Sequence, residues 1–252
     1  MSAPFPRRLD FEGAVNFRDL GGYATADGRR TRWRRLFRAD SLADLTPDDL
    51  RRLEALDVHG LIDFRTPIER QLKPNRLPSG ASIRALEIGF LPSGTLEMLA
   101  RVRRGAISTA ELEREVIAQY RKFGVDHVVE YRQAFDFAAD PQNYPLVMHC
   151  TSGKDRTGFA SALLLLAVGV PRAIVLHDYN LTNHYRRDVS HLFGPDTPPD
   201  VIALLLSAQS RYLEAALDEI DRAHGSFEAF LTGPLGVDSD KRARLIACLT
   251  EP

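Results

Sequence analysis

A strand-like run, Pro145-Leu146-Val147-Met148, leads without a break into His149-Cys150-Thr151-Ser152-Gly153-Lys154-Asp155-Arg156-Thr157-Gly158, and that loop leads into an apolar stretch from Phe159 to Val170. The pattern predicts a strand, a tight loop and a buried helix in succession. The loop therefore opens a helix N-terminus, where unpaired backbone N–H groups and the positive end of the helix dipole favour an anion and stabilise a thiolate. This places Cys150 as a candidate nucleophile. Six residues on, Arg156 offers a planar fork of N–H donors to two oxygens of a phosphoryl group. Lys154 adds a second positive charge, and Gly153 lets the backbone turn so that the amides of Thr151, Ser152 and their neighbours face a bound phosphate. Thr157 can give its hydroxyl to the sulfur. A lone cysteine is usually core packing, but one with Gly, Lys, Arg and Thr at these offsets, between a strand and a helix, reads as chemistry.

Shorter strand-like segments near Gly22 to Ala24, Trp33 to Phe37 and Val58 to Asp63 precede this unit and alternate with helical patterns, which argues for an α/β layer structure. Thr46-Pro47-Asp48-Asp49 opens a helix to about Leu56, with Thr46 as cap, Pro47 at the first position and Asp49 as the capping acid. The next strand then ends at Asp63, so Asp63 and Arg65 emerge from a strand's C-terminal end, where open α/β sheets form ligand crevices. From Thr95 to Asp140 the apolar spacing is helical, divided by Gly105 and Gly124. Beyond Pro171 the chain reads as almost wholly helical: to about Tyr185, then Pro199 to Leu206, Gln209 to His224, Ser226 to Leu231, and from Ser239 onward.

The 252 residues are too few for two independent α/β domains, so a single domain, residues 1–252, with a helical insertion is expected. A hydrophobic fraction of 44% and a charged fraction of 27% are those of an ordinary globular chain. A net charge of -1 gives no global attraction to nucleic acid or anionic lipid, so steering of an anionic substrate must be local. Arg29, Arg30, Arg32, Arg34 and Arg35 cluster around Trp33, as on the solvated face of an early strand, and nucleic-acid binding is not expected. Two cysteines, Cys150 and Cys248, cannot build a disulfide framework or a structural zinc site, and Cys248 sits in an apolar helical pattern. No signal-like or membrane-spanning run is evident, so the expectation is a protein of a reducing cytoplasm with no stable membrane insertion. His177, His184 and His191 recur every seven residues but lack carboxylates at metal-ligand spacing; no metal site is expected.

The loop His149-Cys150-x-x-Gly153-Lys154-Asp155-Arg156-Thr157-Gly158 resembles the signature of cysteine-dependent phosphatases. With Lys154 and Asp155 both inside it, it is similar to the bacterial branch of tyrosine-specific phosphatases that includes atypical dual and triple specificity enzymes. Asn16-Phe17-Arg18-Asp19-Leu20-Gly21-Gly22-Tyr23, followed by Phe37-Arg38-Ala39-Asp40-Ser41-Leu42, resembles that branch's N-terminal motifs. Ile62-Asp63-Phe64-Arg65-Thr66-Pro67-Ile68-Glu69 resembles its Asp-x-Arg-x-x-x-Glu segment, and Asp178-Tyr179-Asn180-Leu181-Thr182-Asn183 a motif after the loop. The similarity runs from about Asn16 to the C-terminal helices and is weakest between Leu91 and Asp140. It implies a cysteine-phosphatase-like central sheet flanked by helices, with a helical C-terminal half and a helical cover within residues 95–140; helices simply packed on the sheet are an equal alternative.

The implied reaction is cofactor-free hydrolysis of a phosphomonoester through phosphocysteine, with Cys150 as nucleophile and Arg156 on the phosphoryl oxygens. Two carboxyls compete as general acid. Asp155 lies inside the loop, where like-charge repulsion beside a dianion favours its protonated form; Asp63 is the rival, and otherwise serves with Arg65 and His149 to brace the loop. The substrate is a phosphorylated protein, with phosphotyrosine first and phosphoserine or phosphothreonine also possible, or a phosphoinositide. A catalytically silent phosphate-binding module is the third reading. A nucleotide-binding P-loop fails on residues, because Asp155 stands where Ser or Thr is needed and Met148 where the first Gly belongs.

Overall fold

The structure, a computed structural model, describes residues 5–187 and 193–252. Its centre is a five-stranded sheet made of β1 (Arg18–Asp19), β3 (Leu36–Ala39), β6 (Leu146–His149), β4 (Gly60–Asp63) and β5 (Arg84–Glu87), in that spatial order. β3, β6, β4 and β5 run parallel, and β1 joins the β3 edge antiparallel. β2 (Arg30–Thr31) pairs separately with β7 (Thr250–Glu251) at the end of the chain. In the parallel register Ala39, His149, Asp63 and Glu87 lie side by side, so one edge of the sheet collects the C-terminal ends of its strands. Ligand crevices of α/β folds form at that edge.

The strands bury both faces, as parallel strands must. Leu36, Ile62 and Met148 face a large cluster that includes Phe123, Tyr131, Phe159 and Leu217, whereas Phe37, Ala39, Leu61 and Val147 face a smaller one with Phe11, Phe17 and Leu53. The smaller face is covered by the N-terminal segment and α1 (Pro47–Ala55), whose capping box of Thr46 and Asp49 forms as the sequence predicts. The larger face carries α3 (Thr95–Arg103), α4 (Thr109–Asp126), α5 (Val128–Ala138), α6 (Arg156–Ala167) and α7 (Arg172–Asn180), with the later helices outside them. These are α8 (Thr182–Tyr185), α9 (Pro199–Leu206), α10 (Ser210–His224), α11 (Phe227–Thr232) and α12 (Ser239–Leu249). In α6 every residue but Leu166 is buried, which its apolar run foretells.

Four local expectations change. The strand expected over Trp33 to Phe37 begins at Leu36, because Arg34 takes a left-handed φ of 59° in a turn ahead of it. The segment Gly22 to Ala24 supplies only a bridge between Ala24 and Arg30. Gly124 does not divide the helices: it lies inside α4, where any side chain would meet Ile220 of α10, and the break comes at His127. β5 went unread because its residues are mostly exposed at the sheet edge and carry no apolar alternation. Of the arginines around Trp33, Arg30 and Arg34 are exposed and Arg29, Arg32 and Arg35 half-exposed; Arg32 donates to the Thr250 carbonyl and Arg35 to that of Cys248, which ties residues 248–250 to the N-terminal turn.

Candidate active site

β6 delivers His149 to the central strand end, and Cys150 is the first residue beyond it, with 1% of its surface exposed. The loop from Thr151 to Asp155 then joins α6, so Arg156 sits in that helix's first turn. Three donors outside the loop hold its carbonyls. The Ser41 amide donates to Thr151 O (3.2 Å), Asn16 Nδ2 to Ser152 O (3.1 Å) and Arg38 Nη2 to Gly153 O (2.7 Å). In a trans peptide the N–H points opposite to the C=O, so drawing these three carbonyls outward turns the amides of Ser152, Gly153 and Lys154 toward the inside of the loop. Gly153 takes φ 66°, and a Cβ there would lie 2.5 Å from Ala39 O, so only glycine fits.

The donors are anchored in turn by buried charge. Asp178 of α7 accepts from Arg18 Nε (3.1 Å) and Arg38 Nη1 (2.8 Å), and all three side chains are at most 1% exposed. Tyr23 donates its hydroxyl to the same carboxylate at 2.9 Å, and Arg18 also reaches the Asn16 side chain and Thr182. Burial pushes the Asp178 carboxyl upward, but Arg18 and Arg38 outweigh it and hold the group well below the usual carboxylate range. The N-terminal motif, the Phe37–Leu42 motif and the Asp178–Asn183 motif therefore meet in one cluster behind the loop. A second tie runs from Asp40, which accepts the Asn16 amide at 3.1 Å and whose pKa burial pushes up to about 6.

Arg156 is pinned on one side only. Its Nη1 donates to Phe64 O (2.8 Å), Phe90 O (3.1 Å) and Glu69 Oε2 (2.8 Å), while Nη2 donates to Glu69 Oε1 (2.9 Å). Among the described residues Nε makes no hydrogen bond, and the second Nη2 proton has only a long 3.4 Å contact with Thr151 Oγ1. That leaves Nε–H and one Nη2–H as a parallel pair for two oxygens of a ligand. Glu69 is the residue the sequence reading passed over, although a signal was there: Thr66-Pro67-x-Glu69 is a capping box opening α2 (Pro67–Leu72), and it fixes the carboxylate that also bonds the Thr151 hydroxyl. Burial raises the Glu69 pKa, but its bonds to Arg156 and Thr151 prevail and bring it down to about 2.

Asp63 and Arg65 form a closed unit. Both are 1% exposed; Asp63 accepts from Arg65 Nη2 (2.7 Å), the Arg65 amide (2.9 Å) and Asn75 Nδ2 (3.1 Å), and His149 Nε2 lies 3.4 Å away. Burial acts to raise this carboxyl, but hydrogen bonds from His149 and Arg65 overcome it and hold the group far below the usual range. Asp155 differs: its side chain is 36% exposed, and Oδ1 accepts from Tyr120 of α4 at 2.7 Å. Lys154 is the second cation of the loop. Its ammonium is buried and donates to the Leu205 carbonyl at 2.5 Å and that of Ser207 at 3.3 Å, at the C-terminal end of α9. Thr157 is fully buried and its hydroxyl has no partner among the described residues. Of the three histidines spaced by seven, His191 lies outside the described residues, and among those described no group of three metal-ligating side chains gathers.

A thiol at a strand end, a loop whose carbonyls are drawn outward and an arginine fork at a helix start thus come together at the C-terminal edge of the sheet. The chain belongs to the tyrosine phosphatase family, whose model matches residues 9–251. It is 34% identical over 237 residues to a protein of Cupriavidus necator named "Putative tyrosine-protein phosphatase", covering 91% of this chain and 85% of that one. It is also 30% identical to the triple specificity protein phosphatase PtpB of Mycobacterium tuberculosis, covering 88% of this chain and 92% of that one. Among solved structures it is similar to the core catalytic domain of the PP-IP phosphatase SIW14 of S. cerevisiae, at 13% identity and a TM-score of 0.38 over 81% of this chain and 90% of that one. So loose a superposition adds nothing to the assignment.

The Asp178 cluster generates a stability prediction. Asp178→Asn leaves two buried guanidinium groups without their counter-charge, which costs about 3–5 kcal/mol by the behaviour of broken buried pairs. Urea unfolding should show that loss, with turnover falling as well, since Arg38 loses the group that aims it at Gly153. A loss below about 1 kcal/mol would mean the loop is held by other contacts.

Proposed function

We propose that the chain hydrolyses phosphotyrosine in proteins by a two-step transfer through Cys150. The observation that carries this is the pairing of a loop beside Cys150, its carbonyls held outward, with an Arg156 fork held by Glu69 on its far edge. Phosphoryl oxygens take the inward amides of Ser152 and Gly153 and the free Nε–H and Nη2–H of Arg156. The thiolate attacks phosphorus in line, the P–O bond to the leaving group breaks, and the leaving oxygen takes a proton from Asp155. Water then attacks phosphorus, gives a proton back to Asp155 and releases inorganic phosphate, with the thiolate restored. Catalysis rests on positioning and on preorganised donors for the charge on the equatorial oxygens. Glu69 stops the guanidinium from swinging. The unpartnered Thr157 hydroxyl is available to the sulfur as it becomes the leaving group of the second step.

Asp155 fits the acid better than Asp63 does. Asp63 is enclosed, with its oxygens already bonded to Arg65 and Asn75 and His149 Nε2 3.4 Å away, whereas Asp155 is open on one side and, among the described residues, its Oδ2 accepts no hydrogen bond. Asp63, Arg65 and His149 brace the strand end beneath Cys150. The position of Lys154 favours a single phosphate over a multiply phosphorylated inositol ring, because its charge is spent on the carbonyls of α9 and not presented beside the loop. Residues 9–251 act as one phosphatase domain, in which α4 and α5 are a fixed wall: Tyr120, Phe123, Tyr131 and Phe135 are all buried in the main core.

Cys150→Ser should abolish turnover of p-nitrophenyl phosphate while vanadate still binds, and Arg156→Lys should lose at least about a hundredfold in kcat/KM, since it keeps the charge but not the fork. Substantial turnover by Cys150→Ser would end the thiolate mechanism.

Leaving-group dependence separates the two carboxyls. p-Nitrophenolate departs as an anion, but a tyrosyl oxygen needs a proton, so Asp155→Asn should slow phosphotyrosine by about 10²–10³ more than p-nitrophenyl phosphate and remove the basic limb of the pH profile. Asp63→Asn should slow both substrates alike and keep that limb; the opposite pattern would exchange their roles.

A further inference from the structure

Two tyrosines lie behind Asp155 with no part in the reaction as written. Tyr120 comes from α4, within the stretch where family resemblance is weakest, and Tyr179 from α7. The Tyr120 hydroxyl stands 2.7 Å from Asp155 Oδ1 and 2.5 Å from the Tyr179 hydroxyl. Both rings are buried, at 2% and 1% exposure, and their edge-to-face contact at 6.3 Å sets the hydroxyls toward each other. Burial, with the Asp155 charge next, raises both phenols well above their ordinary value, so each keeps its proton. A phenol has one proton to give. The carboxylate can only accept, so Tyr120 donates to Asp155 and must accept from Tyr179, which fixes the direction of the whole chain.

We infer that Tyr120, itself oriented by Tyr179, is the positioning residue of the general acid: it holds Asp155 Oδ1 so that Oδ2 carries the proton and faces the leaving oxygen. This rests on the assignment of the acid to Asp155. The reasoning is geometric. A carboxyl on a surface loop rotates freely about its last bond, and proton transfer falls off steeply once the acid leaves hydrogen-bond reach of the departing oxygen. One strong donor from the rigid core, bonded to one oxygen only, selects a single rotamer and leaves the other oxygen unbonded. Tyr120 is well placed for this because α4 packs along α10 and the buried ring sits against Phe123 and Tyr212. The other groups around Asp155 are Lys154, whose Nζ is 3.5 Å from Oδ1, Arg156 and the Cys150 thiol in the loop, Tyr131 of α5 and Tyr212 of α10; all stay in place when one hydroxyl is removed.

The test is Tyr120→Phe, which removes the hydroxyl and keeps the ring. Turnover of phosphotyrosine should fall about tenfold, the scale of one lost hydrogen bond to a charged group, while p-nitrophenyl phosphate changes less than about threefold and the vanadate inhibition constant stays put. Tyr179→Phe should show the same pattern more weakly, and it serves as the deciding variant if Tyr120→Phe does not fold. In an Asp155→Asn background Tyr120→Phe should add nothing. If both tyrosine variants slow the two substrates equally, the positioning role is wrong and the hydroxyls serve packing alone. If Asp155→Asn itself shows no leaving-group dependence, the assignment of the acid has failed, which is a different result.

Discussion

Everything in the site hangs on a carboxylate that never meets the substrate. Asp178 neutralises Arg18 and Arg38 inside the protein, and Arg38 spends a remaining donor on the Gly153 carbonyl. Without that anchor the loop would lose its hold on the Gly153 carbonyl, and outward carbonyls are what turn its amides inward. The arrangement is costly in isolation, because three charged groups lose their water; it is tolerated because nearly every donor and acceptor in it is used, from Tyr23 and Thr182 on one side to Asn16 on the other. The one exception is Arg38 Nε, buried with no partner among the described residues. A site that must bind a dianion cannot rely on a mobile cation at the surface. Here the positive charge is built into the scaffold, and the loop is shaped by it before any ligand arrives.

The same economy governs the front of the loop. Glu69 and Arg156 form a two-bond pair that uses the outer edge of the guanidinium, and the carbonyls of Phe64 and Phe90 steady Nη1. The guanidinium is therefore oriented by the protein's own groups. Asp63 does for the strand end what Asp178 does for the loop: its charge is consumed by Arg65, Asn75 and His149. Asp155 differs from both: among the described residues its carboxyl accepts one hydrogen bond, from Tyr120, and its side chain stays partly open.

Much of this was legible in the sequence where neighbours along the chain are neighbours in space. Cys150 to Thr157 declares its chemistry because strand, loop and helix are contiguous, and the helices beginning at Pro47, Pro199 and Ser239 announce themselves by a cap, a proline or apolar spacing. What could not be read depends on distant partners. Nothing beside Lys154 in the chain says that α9, fifty residues on, offers it a carbonyl. Glu69 stood in a quoted motif, yet nothing local says that it crosses to Arg156. Tyr120 lies where no motif points, and its part emerges only when α4 is laid beside the loop. Gly124 looked like a helix break because glycine costs helix stability, whereas tertiary packing against Ile220 demands it.

The central claim is that the loop and Arg156 hold a phosphoryl group for transfer to the sulfur of Cys150. Rapid acid quench during turnover of a radiolabelled phosphotyrosine peptide, followed by proteolysis and mass analysis, observes that bond directly. The account predicts label on the peptide carrying Cys150, stable in acid, lost in Cys150→Ser, and accumulating to a higher fraction of enzyme in Asp155→Asn if water attack is slowed more than thiolate attack. Turnover at full rate with no labelled enzyme at any quench time, or label on a residue other than Cys150, would contradict it.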